Sequence, residues 1–261
     1  MTAFLVVTVA VVGLAIGSFL NVVIWRVPRG ESVVSPPSAC PSCGEQISPR
    51  DNVPVLSWAL LSGRCRHCHD RISPRYPLVE LGTAVLFGLA AWRVGADWAL
   101  PAFLYLAAIS IALALIDIDV HRLPNSIVLP SYVVGGVLLT AAALGSGQPR
   151  VLVGVALGGV GLYAFYFLLA FIYPAGMGFG DVKLAGVLGM YLGYLGWSEV
   201  LVGLFLGFLA GGLVGGLLMA TKRAGRTSKI PFGPSMLVGA WLAIFAGDGI
   251  ADAYLSIAGV R

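Results

Sequence analysis

The sequence predicts an all-α polytopic membrane protein, with about eight transmembrane helices and one small cytoplasmic loop. Three observations predict it. Of the 261 residues, 58% are hydrophobic and only 11% are charged, with a mean hydropathy of +0.92. A water-soluble chain has about 45–50% apolar and about 25% charged residues. Apolar runs able to cross a bilayer, which takes about 20 residues each, recur along the whole chain. The basic residues gather on one side of those runs. The net charge of +4 is too small and dispersed to imply nucleic acid, and the lipid bilayer is the partner the apolar runs imply.

In chain order the apolar runs are 3–24, 78–92, 98–116, 126–144, 151–173, 182–195, 200–220 and 230–245. The second and sixth are short. The first has no basic leader ahead of it and its Arg residues follow it, so it reads as a retained helix and not a secretory signal. At its end, Gly17 and Ser18 suit close helix packing, Asn21 suits a hydrogen bond between helices, and Trp25 and Arg26 suit an interfacial anchor. Lys229-Ile230-Pro231-Phe232-Gly233-Pro234 reads as a broken helix start.

Placing the loop after the first helix in the cytoplasm puts thirteen of the sixteen basic residues inside. These are Arg26, Arg29, Arg50, Arg64, Arg66, Arg71, Arg75, Arg122, Lys183, Lys222, Arg223, Arg226 and Lys229. Only Arg93, Arg150 and Arg261 stay outside, as the positive-inside rule requires. Both termini then face outward. The chain divides into a first helix (1–25), a cytoplasmic loop (26–77) and a membrane core (78–261).

The loop holds all four cysteines, as Cys40-Pro41-Ser42-Cys43 and Cys65-Arg66-His67-Cys68. Each C-x-x-C offers two thiolates from one knuckle, and two knuckles complete a tetrahedral Zn²⁺ site, so the loop reads as a zinc ribbon. Nearby Arg residues favour thiolates, and a cytoplasmic loop keeps them reduced. A piece this small needs such a staple to fold. His67 or His69 can also serve as a ligand, and four free thiols remain the plain alternative.

Three carboxylates stand at cytoplasmic helix ends: Asp117 and Asp119 in Ile116-Asp117-Ile118-Asp119, and Asp181 in Gly178-Phe179-Gly180-Asp181-Val182-Lys183. Ionisable groups at membrane depth are costly and functional by default. Two Asp from different helices can share one proton, so that one activates water and the other polarises a carbonyl. Gly178 and Gly180 permit an open, non-helical backbone and close approach of a substrate strand. The plainer reading has these Asp capping helices or pairing with Arg122 and Lys183. A third use is the proton relay of a coupled transporter, although no inverted repeat is visible.

Taken together, 17–28, the paired C-x-x-C, Arg75-Tyr76-Pro77-Leu78-Val79-Glu80-Leu81, 117–125, 178–183 and 230–234 resemble the prepilin peptidases, or type IV leader peptidases, in order and over nearly the whole chain. The G-x-G-D element alone also resembles that of the presenilin-type aspartyl proteases. The resemblance implies an enzyme of the bacterial cytoplasmic (inner) membrane with its catalytic residues facing the cytoplasm. It would remove the leader of prepilins and pseudopilins, typically between Gly and Phe, and then methylate the new N-terminus with S-adenosylmethionine. It places the catalytic pair on Asp117 and Asp181, with Asp119, Gly178, Gly180 and Lys183 in support. It associates Gly63, Arg64 and Glu80 with methylation, and Cys40, Cys43, Cys65 and Cys68 with structural zinc. Familiar members carry Lys where this chain has Arg64, and a longer segment before Cys40.

Overall fold

Apolar residues and helix-permitting turns organise the chain into nine helices among the described residues, which in the computed structural model are 2–174, 176–221 and 230–259. Of the basic residues named above, Lys222, Arg223, Arg226, Lys229 and Arg261 lie outside the described residues. The helices are α1 (Thr2–Arg26), the short α2 (Leu56–Leu60), α3 (Arg75–Val94), α4 (Leu100–Val120), α5 (Asn125–Gly145), α6 (Val151–Ile172), α7 (Phe179–Leu195), α8 (Trp197–Ala220) and α9 (Gly233–Ile257). No strand occurs among the described residues, only two isolated bridges in the cysteine loop.

Among the described residues, seven helices are long and apolar enough to cross a membrane. The eighth expected span, α7, has 17 residues. At about 1.5 Å per residue it covers about 26 Å, short of the ~30 Å hydrocarbon core. Its surroundings explain the length: α7 packs against α5, α6, α8 and α9 and is buried along most of its course. A helix sheathed by protein need not match the lipid. Its start also differs from the expected one, because Phe179 and Gly180 are already helical and only Gly178 keeps an extended backbone as N-cap. The open backbone expected ahead of Asp181 is therefore confined to Gly178 and the residues before it. The last span begins at Gly233 and runs on to Ile257, past the expected end at 245, because Asp248 and Asp252 lower the hydropathy without breaking the helix.

The chain forms two compact units, 1–112 and 113–261, divided within α4. In the first, α1 lies along α3 through glycines four residues apart. A Cβ on Gly13 would sit 2.8 Å from the Cα of Ala84, and one on Gly17 would sit 2.7 Å from the Cα of Glu80. That is the close backbone approach which small residues at this spacing allow. Asn21 donates to the Tyr76 carbonyl at 3.2 Å, the interhelical bond its place in the sequence suggested. In the second unit the same device joins α6 to α7, where a side chain on Gly158 would run into the carbonyl of Gly189 and the reverse. It also joins α8 to α9, through Gly207 and Gly239.

Candidate active site and metal centre

Helical phase decides which aspartate of α4 faces inward. Asp117 lies one turn after Leu113 on the buried stripe that includes Ile116, and it is only 4% exposed. Asp119, two residues on, falls on the opposite face and is exposed. The buried carboxylate has one hydrogen bond among the described residues: its Oδ2 accepts from the Gly233 backbone N–H at 3.1 Å. A Cβ at Gly233 would stand 2.8 Å from that oxygen, so only glycine brings its N–H there without crowding.

Asp181 is in the first turn of α7 and is 9% exposed. Its Oδ2 accepts from the Gly178 N–H at 3.3 Å, which fixes the carboxylate across the helix start. The supports of the two carboxylates, Gly180 beside Asp181 and Gly233 against Asp117, both pack on one side chain, Leu123. A Cβ on Gly180 would meet Leu123 at 3.0 Å and one on Gly233 would meet it at 3.3 Å.

Of the plainer alternatives, Asp181 does bond the N-cap of α7, and Lys183 pairs with neither Asp117 nor Asp181. Lys183 donates to Asn125 Oδ1 at 2.9 Å and lies 4.9 Å from the Phe179 ring centroid. Its carbonyl accepts from the Tyr132 hydroxyl at 2.6 Å, tying α7 to α5. Neither Asp117 nor Asp181 makes an ion pair among the described residues.

The cysteine loop is built from two equivalent knuckles, a repetition the sequence shows only once they are aligned. Cys40 N–H donates to Glu45 and Cys65 N–H to Asp70, each at 2.9 Å. Gly44 and His69 occupy the same left-handed turn position, with φ of +72° and +58°. His69 is thus a turn residue, and the cluster is made by sulfur alone. The four Sγ atoms all lie within 4.8 Å of one another, and Cys40 and Cys68 are 3.8 Å apart. Four sulfurs at about 2.3 Å from one tetrahedral Zn²⁺ stand about 3.8 Å from each other, so the donor set fits that ion. Ser42 of the first knuckle hydrogen-bonds Asp70 of the second.

Backbone N–H groups, and not the Arg residues, shape the thiols. The N–H groups of Cys43 and Ser42 bring Cys40 down to about 6. At Cys68 the Asp70 N–H favours the thiolate, but desolvation and the other three sulfurs outweigh it and push the group up to about 12. Cys40 therefore ionises readily, while Cys43 and Cys68 are held toward the thiol. Arg66 instead grips Asp51 with two nitrogens, at 2.6 and 2.9 Å, and holds that carboxyl below its usual range.

Three further residues expected in a second activity lie in this same unit. Gly63 has a φ of +66° and receives the Trp58 ring, which a Cβ would meet at 2.9 Å. Arg64 is exposed and bridges to Arg71. Glu80 is 8% exposed, and its Oε2 accepts from the Val55 N–H at 2.7 Å, at a residue held at a φ of +61° just before α2. The carboxylate thus fastens the loop to α3.

The model of the Bacterial Peptidase A24 N-terminal domain matches residues 11–94, and that of the Type IV leader peptidase family matches 104–216. A prepilin leader peptidase/N-methyltransferase of Pseudomonas aeruginosa is 34% identical, covering 99% of this chain and 96% of its own. The chain belongs to the type IV leader peptidase family. A protein of the same name from Neisseria gonorrhoeae is 37% identical over 96% of this chain and 93% of its own. The corresponding protein from Aeromonas hydrophila is 35% identical over 93% and 91%. No solved structure matches.

Within this leader peptidase, the support from Gly233 lies beyond the segments the two family models match, and the sequence marks 230–234 as a broken helix start and a family landmark without assigning Gly233 a role. The pairing of Pro231 and Pro234 around it was the available signal. Val55 as partner of Glu80 carried no signal at all, because nothing in its apolar neighbourhood announces a left-handed backbone.

Proposed function

We propose that this chain is an aspartyl endopeptidase of the bacterial cytoplasmic (inner) membrane, with its catalytic residues facing the cytoplasm. Its substrates are type IV prepilins or pseudopilins, whose leader it removes before methylating the exposed N-terminus. The observation that carries this reading is the pair Asp117 and Asp181: two buried carboxylates from different helices, each held by a glycine N–H, with their supports packed on Leu123 and no cation paired to either among the described residues. The proton-relay reading expects carboxylates deep in the bundle, whereas these occupy the terminal turns of α4 and α7.

Two carboxylates brought together at one substrate share one proton. The ionised member takes a proton from water as the water oxygen bonds to the scissile carbonyl carbon, and the protonated member gives its proton to the carbonyl oxygen. The tetrahedral diol then collapses. Its proton returns through the carboxylates to the amide nitrogen, and the C–N bond breaks. Asp119 supports the end of α4 from outside, and Gly178, Gly180 and Lys183 shape the start of α7.

In the methylation step the freed amine, in its neutral form, takes a methyl group from the co-substrate S-adenosylmethionine, and the sulfonium leaves as a thioether. Gly63, Arg64 and Glu80 are assigned to this step. Cys40, Cys43, Cys65 and Cys68 would hold structural Zn²⁺, which closes the knuckles and supplies no chemistry to the cut. The test is prepilin cleavage by membranes carrying each variant. Asp117→Ala and Asp181→Ala should each insert normally and leave the leader uncut; cleavage by either would remove that residue from the pair.

A further inference from the structure

The segment between α1 and α3 is expected in water, yet one part of it is fastened at the depth of the spans. The Val55 N–H is bonded to Glu80 Oε2 at 2.7 Å, and Val55 directly precedes α2. Glu80 lies five residues, about 7.5 Å, below the first residue of α3. On the neighbouring helix Gly17 is level with Glu80, whose Cα a Cβ there would meet at 2.7 Å. Trp25 stands eight residues, about 12 Å, further along α1 toward the loop. A headgroup layer is only about 5–8 Å deep, half the difference between a full bilayer and its hydrocarbon core. Within the reach of one side chain, α2 therefore starts near the edge of the acyl chains and not above the membrane.

This short helix has two faces. Ser57 is buried, its hydroxyl donating to the Arg50 carbonyl at 2.9 Å and accepting from the Val53 N–H at 3.0 Å. Trp58 lies on Gly63 and donates to the Ile72 carbonyl at 3.2 Å. Leu56 and Leu60, one turn apart on the other side, are 55% and 76% exposed. Cations gather around them. The Ser57 bond keeps Arg50 beside α2, and the Arg64 N–H donates to the Leu61 carbonyl at 3.1 Å just after it. Arg64 and Arg71 stand opposite each other in an antiparallel bridge. Its bonds run outside the pair, from Cys65 to Asp70 and from Ile72 to Gly63, the pattern that brings side chains closest. Like charges directly opposite are destabilising, and the equivalent bridge of the first knuckle carries Ala39 and Gln46. The knuckle itself does not ask for the arginines. Arg50, Arg64 and Arg71 make no ion pair among the described residues, and Asp51 is taken by Arg66.

We propose that α2 is an interfacial helix that seats Leu56 and Leu60 in the acyl edge of the bilayer, with Arg50, Arg64 and Arg71 set against the headgroups of anionic phospholipids. Apolar side chains at that depth and cations just above it are the two parts such a helix needs. The occupant is lipid because the bond to Glu80 holds this face at the level of two membrane spans. The cysteine knuckles are thereby tied to the membrane surface at a third point, besides the ends of α1 and α3. The proposal rests on the spans and not on the peptidase reading.

The experiment places the purified full chain in lipid nanodiscs that contain a photoreactive phospholipid, with a diazirine on its acyl chain close to the headgroup. Phosphatidylglycerol and phosphatidylcholine carrying the same chain are compared, and the adducts are located by peptide mass spectrometry. Adducts on α1 and α3 report that the spans meet lipid. The expected result is further adducts on Leu56 and Leu60, at least about fivefold more from phosphatidylglycerol, as one arginine at an anionic surface supplies. Replacing Arg50, Arg64 and Arg71 together with Gln should make the two lipids label α2 alike. Labelled spans with an unlabelled α2 would overturn the proposal, whether its leucines then face water or a second copy of the chain. Equal labelling of wild-type α2 by the two lipids, or a preference that survives the triple substitution, would overturn the part given to the arginines. The labelling needs no cleavage, so a protein that leaves prepilin uncut but labels at α2 fails the peptidase reading and keeps this one.

Discussion

Gly233→Ala puts a methyl group against the oxygen that the Gly233 N–H holds. The new Cβ would sit 2.8 Å from Asp117 Oδ2 and 3.3 Å from Leu123 Cδ2, where ordinary contact begins at 3.4 Å. Leu123 can give by a tenth of an ångström. The carboxylate must yield about 0.6 Å, beyond the ~0.5 Å within which a catalytic group has to be held. Misplacement by about 1 Å costs about a hundredfold in rate, so the expected loss in kcat is between tenfold and a hundredfold, about 1.4–2.7 kcal/mol of barrier. The overpacking also costs about 1–3 kcal/mol of stability. The assay is prepilin cleavage followed on gels, with the thermal transition measured on the same preparation. Gly212→Ala is the control, because a Cβ there meets nothing within 4 Å, and it should cut like wild type. A folded Gly233→Ala protein with wild-type kcat would refute the placement of Asp117 against this backbone.

Asp119→Ala removes an exposed carboxylate and should retain measurable cleavage; a dead Asp119→Ala beside an active Asp117→Ala would reverse the assignment within the Asp-x-Asp pair. Freshly purified reduced protein should contain about one Zn²⁺ per chain, as a Cys₄ site requires, and replacing Cys40 and Cys43 with Ser should release it; elemental analysis finding no zinc in wild type would contradict the site. In chelated, reduced protein the Cys40 thiol should titrate at about 6, a step that vanishes in Cys40→Ser. Because the Cys40 value is lowered in the fold, the contribution of that thiolate to loop stability is complete above its ordinary range and is lost as pH falls through about 6. Glu80→Ala should still cut prepilin but give an unmethylated product and faster hydrogen exchange at Val55, while Glu80→Gln, which keeps an acceptor for that N–H, should hold the loop. Full methylation by Glu80→Ala would take Glu80 out of that step.

What was legible in the sequence followed from local rules. Hydropathy found the helices because lipid contact sets the composition of α1, α4, α5, α6 and α8, and it faltered at α7, whose neighbours are protein. The cysteine cluster was legible because C-x-x-C fixes two sulfurs on one knuckle wherever it occurs. The choice of Asp117 over Asp119 comes from the family resemblance, and the buried stripe of Leu113 and Ile116 in the fold gives its physical reason. The supports of the site were not legible, because they are contacts between distant segments: Gly233 reaches Asp117 across 116 positions, and Val55 reaches Glu80 across 25.

The most direct test of two aspartates cutting a leader and a second step capping the product is the mass of the mature N-terminal peptide. Purified protein is incubated with a prepilin, with and without S-adenosylmethionine. The expected product begins immediately after the leader and gains one methyl group only when the donor is present, while Asp117→Asn and Asp181→Asn return intact prepilin. Intact prepilin from the wild type, or a cut that survives loss of either aspartate, would contradict the assignment.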